Sequence, residues 1–274
     1  MQSLDGRAIA VTGAGSGIGR ALALGLAKRG AKTALCDKDA AGLAETARLL
    51  GNYPHTIAAF DVTDEAALKG WIDAAAAEYG GLDGIINNAG LSVVAPFADT
   101  PKADFDRVMA VNFDAVVNGC RHAIPHLRKS SGAWLVNISS VFGLMGYPTQ
   151  SAYNASKYAV RGLTEALYLE LGETDPHITV IRVHPGGIKT NVARNAKFIM
   201  GMDGRTGALD SGDEFEKAAR TTPAAAAETI ICGMERRRHR VLIGKDARFI
   251  DWMTRLFPVS HFRRIGAFLG GGKS

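Results

Sequence analysis

A hydroxyl, a phenol and an ammonium recur within one short stretch of the chain: Ser140, Tyr153 and Lys157, set in SVFGLMGYPTQSAYNASK. Tyr153 and Lys157 stand four apart, a spacing that stacks two side chains on one face of a helix. A free tyrosine, with a pKa of about 10, is a poor proton shuttle near neutrality. A lysine charge beside it favours the phenolate and moves it toward the working range. A serine hydroxyl at the same place steadies a carbonyl or alkoxide oxygen while the proton moves. Taken alone, a Tyr and a Lys four apart describe an ordinary amphipathic surface, so the reading depends on the elements that position them.

Those elements follow from hydrophobic patterning. Trp134 to Ser139 is a short apolar run of buried-strand type, which puts Ser140 at the strand's carboxyl end, where open α/β sheets place ligands. A helix is predicted from Ala152 to about Leu171. At the start of the chain, Arg7 to Thr12 reads as a first buried strand, and a helix rich in alanine and leucine runs from about Arg20 to Lys28. Between them lie Gly13, Gly17 and Gly19, spaced Thr-Gly-x-x-x-Gly-x-Gly; Ile18 and Arg20 stand where the third glycine of Gly-x-Gly-x-x-Gly would be. Glycines let the backbone turn tightly and approach a pyrophosphate, which then sits at the positive end of the helix dipole. Gly13, Ser16, Gly17, Ile18 and Gly19 are the candidate contacts.

A glycine loop alone is weak evidence for a dinucleotide, and a second strand with an acidic end strengthens it. Lys32 to Cys36 ends in Asp37, 24 residues after Gly13, close to the spacing of about 20 for a carboxylate that binds the adenosine ribose. Asp37 repels a 2′-phosphate, which favours NAD over NADP; Lys38 tempers that preference. A third strand, His55 to Phe60, brings Asp61 and Val62 to flank an adenine. A fourth, Leu82 to Ile86, ends in Asn87-Asn88-Ala89-Gly90, where Asn88, Ala89 and Gly90 would let a flat cofactor lie against the backbone. Standing alone, that stretch would read as a turn. Thr100-Pro101 predicts a capped helix start, and the helical region that follows toward Arg128 carries Asn112 in an apolar segment. Such an asparagine needs partners, structural or catalytic, and the sequence leaves both open. Another strand, Ile178 to Val183, ends in His184-Pro185-Gly186-Gly187-Ile188-Lys189-Thr190. Pro185, Gly186, Ile188 and Thr190 are candidates to meet a nicotinamide carboxamide. His184 is the alternative catalyst, read as structural because Pro185 constrains it and no carboxylate stands nearby.

Length and composition set the frame. A chain of 274 residues suits one large α/β domain. It carries no long apolar run and no signal-peptide pattern at its start, so a cytoplasmic location is expected. Cys36, Cys120 and Cys232 are widely spaced, in apolar or helical contexts and without metal-ligand partners, which predicts buried reduced thiols, no disulfide and no metal. The net charge of +5 invites nucleic acid as a partner, but from Glu235 onward ten Lys/Arg face three Asp/Glu, so the excess belongs to the tail. No nucleic-acid module accompanies it, and a solvated basic face is the expected cause. Residues 191–221 read as an irregular lid containing Phe198, Met200 and Met202. Thr222-Pro223 opens another helix and Val241 to Ile243 a last strand. The division expected is a nucleotide-binding domain over 1–245 and an amphipathic basic extension over 246–274. The extension is expected to pack on its own sheet or a sister subunit in preference to a membrane surface.

With Thr12 to Gly19, Asp61, Asn87 to Gly90, Asn112, Ser140, Tyr153-x-x-x-Lys157 and Pro185-Gly186 in this order, the chain resembles the classical short-chain dehydrogenase/reductase family over roughly residues 5 to 245. The resemblance implies an α/β fold of Rossmann type, a single-domain doubly wound parallel sheet of seven strands with helices on both faces. It implies a catalytic set of Asn112, Ser140, Tyr153 and Lys157. Ser140 rather than Ser139 is chosen because it stands 13 residues before Tyr153, the family's spacing. Also implied are contacts of Tyr153 and Lys157 with the nicotinamide ribose, a water relay at Asn112, and a homodimer or homotetramer built on the long helices. The expected reaction is NAD-dependent hydride transfer to or from a small-molecule secondary alcohol or ketone. Leu144, Met145, Tyr147, Gln150, Val93 and Val94 suggest an apolar pocket. The alternatives are an NADP(H)-dependent carbonyl reductase, an epimerase or dehydratase that retains NAD, and a non-enzymatic NAD-binding regulator.

Overall fold

A computed structural model describes residues 1–188, 196–201 and 221–261. Strands β1 (Ala8–Thr12), β2 (Lys32–Asp37), β3 (His55–Ala59), β4 (Gly84–Asn87), β6 (Ala133–Ile138), β7 (Ile178–Pro185) and β9 (Arg240–Ile243) form one sheet in the order β3-β2-β1-β4-β6-β7-β9. Every pairing in it is parallel. The order reverses between β1 and β4, and in such sheets the crevice beyond the strand ends at that reversal is where ligands bind. The central strands are buried along their whole length, as expected where helices cover both faces.

Successive residues of a strand serve opposite faces. Ile9, Val11, Trp134 and Val136 therefore join one core with α1 (Gly17–Ala27) and a helix over Pro223–Glu235, α7. Ala10, Ile85, Ala133 and Leu135 join a second core with α3 (Glu65–Tyr79), α5 (Ala115–Leu127) and α6 (Ser151–Thr174). Trp134 satisfies its indole N–H in the first core by donating to the Met234 carbonyl at 2.9 Å. Helix α2 (Ala40–Leu50) links β2 to β3, and α4 (Lys102–Met109) precedes α5. Strands β5 (Val93–Val94) and β8 (Lys197–Phe198) pair separately, so part of the expected lid lies against the segment that follows Gly90. Ile188 and Thr221, the described residues flanking the long connection, are bridged to each other.

Local signals set several boundaries and miss others. Thr222 caps α7 as its sequence predicts, its hydroxyl accepting from the Ala225 N–H, with Pro223 in the first turn. Thr100 does not cap α4: the helix starts at Lys102, and the hydroxyl donates instead to Pro96 O, back across the short turn at 97–99. The long helix expected toward Arg128 is interrupted, its residues Ala110–Asp114 forming a π turn between α4 and α5. The last helix, α8 (Lys245–Leu256), buries Ala247, Ile250 and Met253 against Val141, Leu144 and Met145. Residues 262–274 of the predicted extension, and most of the predicted lid, lie outside the described residues.

Candidate active site

Ser140 stands two residues beyond the end of β6 with extended backbone angles and caps a short turn, its hydroxyl accepting from the Phe142 N–H at 3.1 Å. The chain then loops back into α6, and Asn154 fixes that loop. Its amide donates to Phe142 O and Met145 O at 2.8 Å each and its carbonyl accepts from Tyr147 N at 3.1 Å. Tyr153 meets the Phe142 ring edge-on at 6.1 Å, while Tyr147 stacks on the other side of Phe142 at 5.1 Å. One turn further along α6, Lys157 is buried and donates to the Ile138 carbonyl at 2.9 Å, with Nζ 5.5 Å from the centre of the Tyr153 ring. Ser139 is turned away from this group, its hydroxyl donating to Lys157 O at 2.8 Å.

Burial sets the electrostatics of the pair. Desolvation pushes the Tyr153 phenol up to about 12, outweighing a hydrogen bond with Ser140 that pulls it down. The same desolvation brings the Lys157 ammonium down to about 8. In the protein alone, then, Tyr153 is a neutral proton donor at pH 7. The lowering of its pKa predicted from the Tyr–Lys spacing is not present, because loss of hydration dominates and only the Ser140 hydrogen bond opposes it.

Asn112 lies in the π turn, wholly buried. Its carbonyl accepts from Leu91 N at 2.9 Å, while its amide donates to Leu91 O at 2.9 Å and Ser156 Oγ at 3.1 Å. These bonds hold the strand end at Asn88-Ala89-Gly90 beside α6. A Cβ on Gly90 would stand 3.3 Å from Asn112 Oδ1 and 3.6 Å from Lys157 Nζ, so Gly90 backs directly onto the catalytic candidates. Behind it runs a buried chain: Asn87 donates to Asn137 at 2.8 Å, and Asn137 to Thr164 at 3.0 Å. Asn137, Asn154, Ser156 and Thr164 were not singled out by sequence reading. Their signal was polar side chains at buried positions of β6 and α6, a pattern that implies satisfied partners.

The glycine loop sits on the other side of the same crevice. Gly13 and Gly17 have φ of +68° and +52°, and a Cβ on Gly13 would lie 2.9 Å from Ala89 Cα. A Cβ on Gly19 would lie 2.0 Å from Gly13 O, so α1 starts against the turn only because that position is glycine. Ser16, the residue before α1, makes no side-chain cap, which leaves its hydroxyl and the first helical N–H groups for an anion. The Asp37 carboxylate accepts from Gly15 N at 2.8 Å and Asp39 N at 3.0 Å, at the edge of the loop. Asp61 is held by Arg107 and by Thr63. Desolvation raises its pKa, but these bonds outweigh it and keep the carboxyl below its usual range. Val62 is buried in the core beside β4. After β7, Gly187 N donates to Asp246 at 2.6 Å, and Asp246 fills the notch left by Gly186 and Gly244. Pro185 closes β7 and Ile188 is buried; Thr190 lies outside the described residues. His184 contacts Ser140 O through Nδ1 at 3.1 Å, and burial brings its pKa down to about 4, so it is a neutral support behind Ser140. Glycines that a Cβ would crowd, a free loop hydroxyl and a carboxylate at the loop edge together fit a dinucleotide lying across β1 and β4.

The sequence model of the short chain dehydrogenase family matches residues 7–198. The chain belongs to this family. It is an oxidoreductase acting on CH–OH groups with a nicotinamide cofactor. SadH of Mycobacterium tuberculosis is 41% identical over 271 residues, covering 97% of this chain and 96% of its own. Levodione reductase of Leifsonia aquatica is 36% identical over 197 residues, covering 69% and 72%. Among solved structures, a short chain dehydrogenase/reductase from Burkholderia phymatum in complex with NAD superposes with a TM-score of 0.81 at 27% identity, over 100% of this chain and 98% of that one. The single seven-stranded Rossmann-type fold expected from the sequence is thus what the chain adopts.

Proposed function

We propose that this dehydrogenase uses NAD to interconvert a secondary alcohol and its ketone, with Tyr153 moving the proton. The observation that carries the reading is the convergence of Ser140, Tyr153 and Lys157 beyond β6, against the Gly90 backbone. When bound, the nicotinamide accepts or supplies the hydride. Tyr153 Oη then gives a proton to the ketone oxygen or takes one from the alcohol, Ser140 Oγ donates to that oxygen, and Lys157 stabilises the tyrosinate as it forms. Asn112 positions the segment after Gly90 through both its bonds to Leu91 and, by family resemblance, supports a water relay for the proton.

NAD is favoured over NADP because the Asp37 carboxylate, anchored by two backbone N–H groups at the edge of the glycine loop, would repel a 2′-phosphate. The Burkholderia neighbour was solved with NAD, which supports the same choice. An apolar ketone is proposed on the likeness to levodione reductase, a relative named for a ketone substrate; Leu144 and Met145, expected from the sequence in an apolar pocket, are themselves buried against α8. We further propose residues 1–245 as the dehydrogenase domain and 246–274 as an extension. The protein is proposed to act in the cytoplasm; no described helix is long and apolar enough to cross a membrane. Tyr158 and Leu169 are exposed on α6 in line with Ala155, Gly162 and Ala166, an apolar stripe that supports a homodimer or homotetramer.

The test is nicotinamide absorbance after mixing the protein with NAD or NADP and a panel of secondary alcohols, aliphatic to polycyclic. NADH formed with NAD and lost in Tyr153→Phe supports the reading. NADPH formed in preference, or a Tyr153→Phe variant with full turnover, overturns it.

A further inference from the structure

The chemistry above makes no use of the outer side of α8. Ala247, Ile250 and Met253 bury the inner side, and the opposite side carries Lys245, Arg248, Trp252, Arg255 and Leu256 at spacings of three or four. Trp252 is 54% exposed, Leu256 53%, and Val259, just beyond the helix, 93%. The other two tryptophans, Trp71 and Trp134, are buried. An indole and two aliphatic side chains thus stand in water among three cations.

Of the two carboxylates of the helix, only Asp251 reaches a cation of this face. Asp251 is gripped by Arg240 and also bonded by Arg255, whose side chain stays 66% exposed; Asp246 accepts from Gly187 N. No described partner neutralises Lys245 or Arg248 through an ion pair. The sequence that follows, 262–274, adds Arg263, Arg264 and Lys273 with no Asp or Glu, and Phe262, Ile265, Phe268 and Leu269.

We propose that this face of α8 docks on an anionic lipid surface, with Lys245, Arg248 and Arg255 at the phosphates and Trp252, Leu256 and Val259 in the interfacial layer. Cations near such a surface and an indole at headgroup depth are each favourable there. A second copy of the chain across a twofold axis would set these cations against themselves. A duplex nucleic acid would pair with the cations and leave Leu256 and Val259 without an apolar partner. A lipid surface satisfies both classes of side chain. Its benefit, delivery of an apolar substrate, rests on the proposed function, since the inner side of α8 packs on Val141, Leu144 and Met145, between Ser140 and Tyr153. The docking itself does not, and vesicle sedimentation reads it without turnover.

The test is sedimentation of the full chain with phosphatidylcholine vesicles, with and without phosphatidylglycerol, while tryptophan emission is followed. Binding to the anionic vesicles alone, released by about 0.5 M salt, is expected. A blue shift that disappears in Trp252→Ala should accompany it. Arg248→Gln should weaken the vesicle affinity roughly five-fold and leave turnover of a water-soluble alcohol unchanged. Absence of anionic-vesicle binding overturns the proposal, as does equal binding to neutral vesicles. So does binding indifferent to Arg248→Gln. If Trp252→Ala lowers the mass seen by light scattering, or if a DNA duplex binds through this face and vesicles do not, the face belongs to another partner and the proposal fails.

Discussion

Lys157 bears an ammonium in a place that opposes it. Its pKa of about 8 against an ordinary 10.5 means that the folded protein holds this proton less tightly than the unfolded chain does, so the charge is a net cost to folding below pH 8. Lys157→Met should therefore raise the unfolding free energy read by urea titration, by roughly 1–3 kcal/mol, while abolishing turnover. A variant that is both inactive and less stable would show that the Ile138 carbonyl, left without its donor, matters more than the buried charge. The same pKa sets a pH profile. Tyr153 stays protonated up to about pH 12, so in ketone reduction the group lost first on raising pH is the Lys157 charge that supports the nascent tyrosinate. The kcat/KM for reduction should fall as pH rises through about 8, measured with NADH in excess. A flat profile to pH 9.5 would assign Lys157 no electrostatic part in the step.

At the scale of elements, the site depends on how α6 and the π turn are fastened, and here the sequence was legible unevenly. The strand–glycine–helix opening, the Asp37 strand end and the Tyr–Lys spacing were readable because each depends on residues close in sequence. The thiols were read as buried; Cys36 and Cys120 are, whereas Cys232 is partly exposed. The π turn was not readable: Asn112 signalled only an unmet need, and its partners, Leu91 and Ser156, are brought to it by tertiary packing. Thr100 failed as a cap for the same reason, a neighbouring turn offering its hydroxyl the Pro96 carbonyl. Asn154 is the clearest case of a residue whose importance shows only once the chain is folded, since it closes three bonds to the loop between Ser140 and Tyr153. Asn154→Ala leaves two carbonyls and an N–H unpaired and should cost about 2–3 kcal/mol of stability. Because the loop carries Phe142 and Met145, it should also raise KM more than it lowers kcat. Equal losses in the two would place Asn154 in the chemical step. Gly19→Ala should fail earlier, at assembly of the β1–α1 turn, with nicotinamide binding lost even in variants that fold, as read by cofactor fluorescence.

For the molecule as a whole, the fold is stabilised by two apolar layers that are indifferent to pH, and its acid limit comes from a few groups buried or paired between them. Asp61 and Asp251 have pKa values held below the usual carboxylate range, so their contribution is present above the unfolded pKa and disappears as pH falls through the folded one. His184 works in a higher window. It is buried and neutral with Nδ1 on Ser140 O and Nε2 unpartnered, and its pKa of about 4 lies below the ordinary 6.5. Between those two values the unfolded chain binds the proton and the folded protein does not, so its stabilising effect is complete above pH 6.5 and is lost progressively toward pH 4. The loss between pH 7 and pH 5 should be about 2 kcal/mol, before the carboxylates begin to titrate. His184→Gln removes the titrating group, and its unfolding free energy should be nearly flat over that interval. A wild-type curve equally flat would mean that water reaches the His184 ring and that the support behind Ser140 is looser than its burial implies. If the slope appears and vanishes with the substitution, the end of β7 that supports Ser140 is also the part of the sheet that sets the acid limit of the fold.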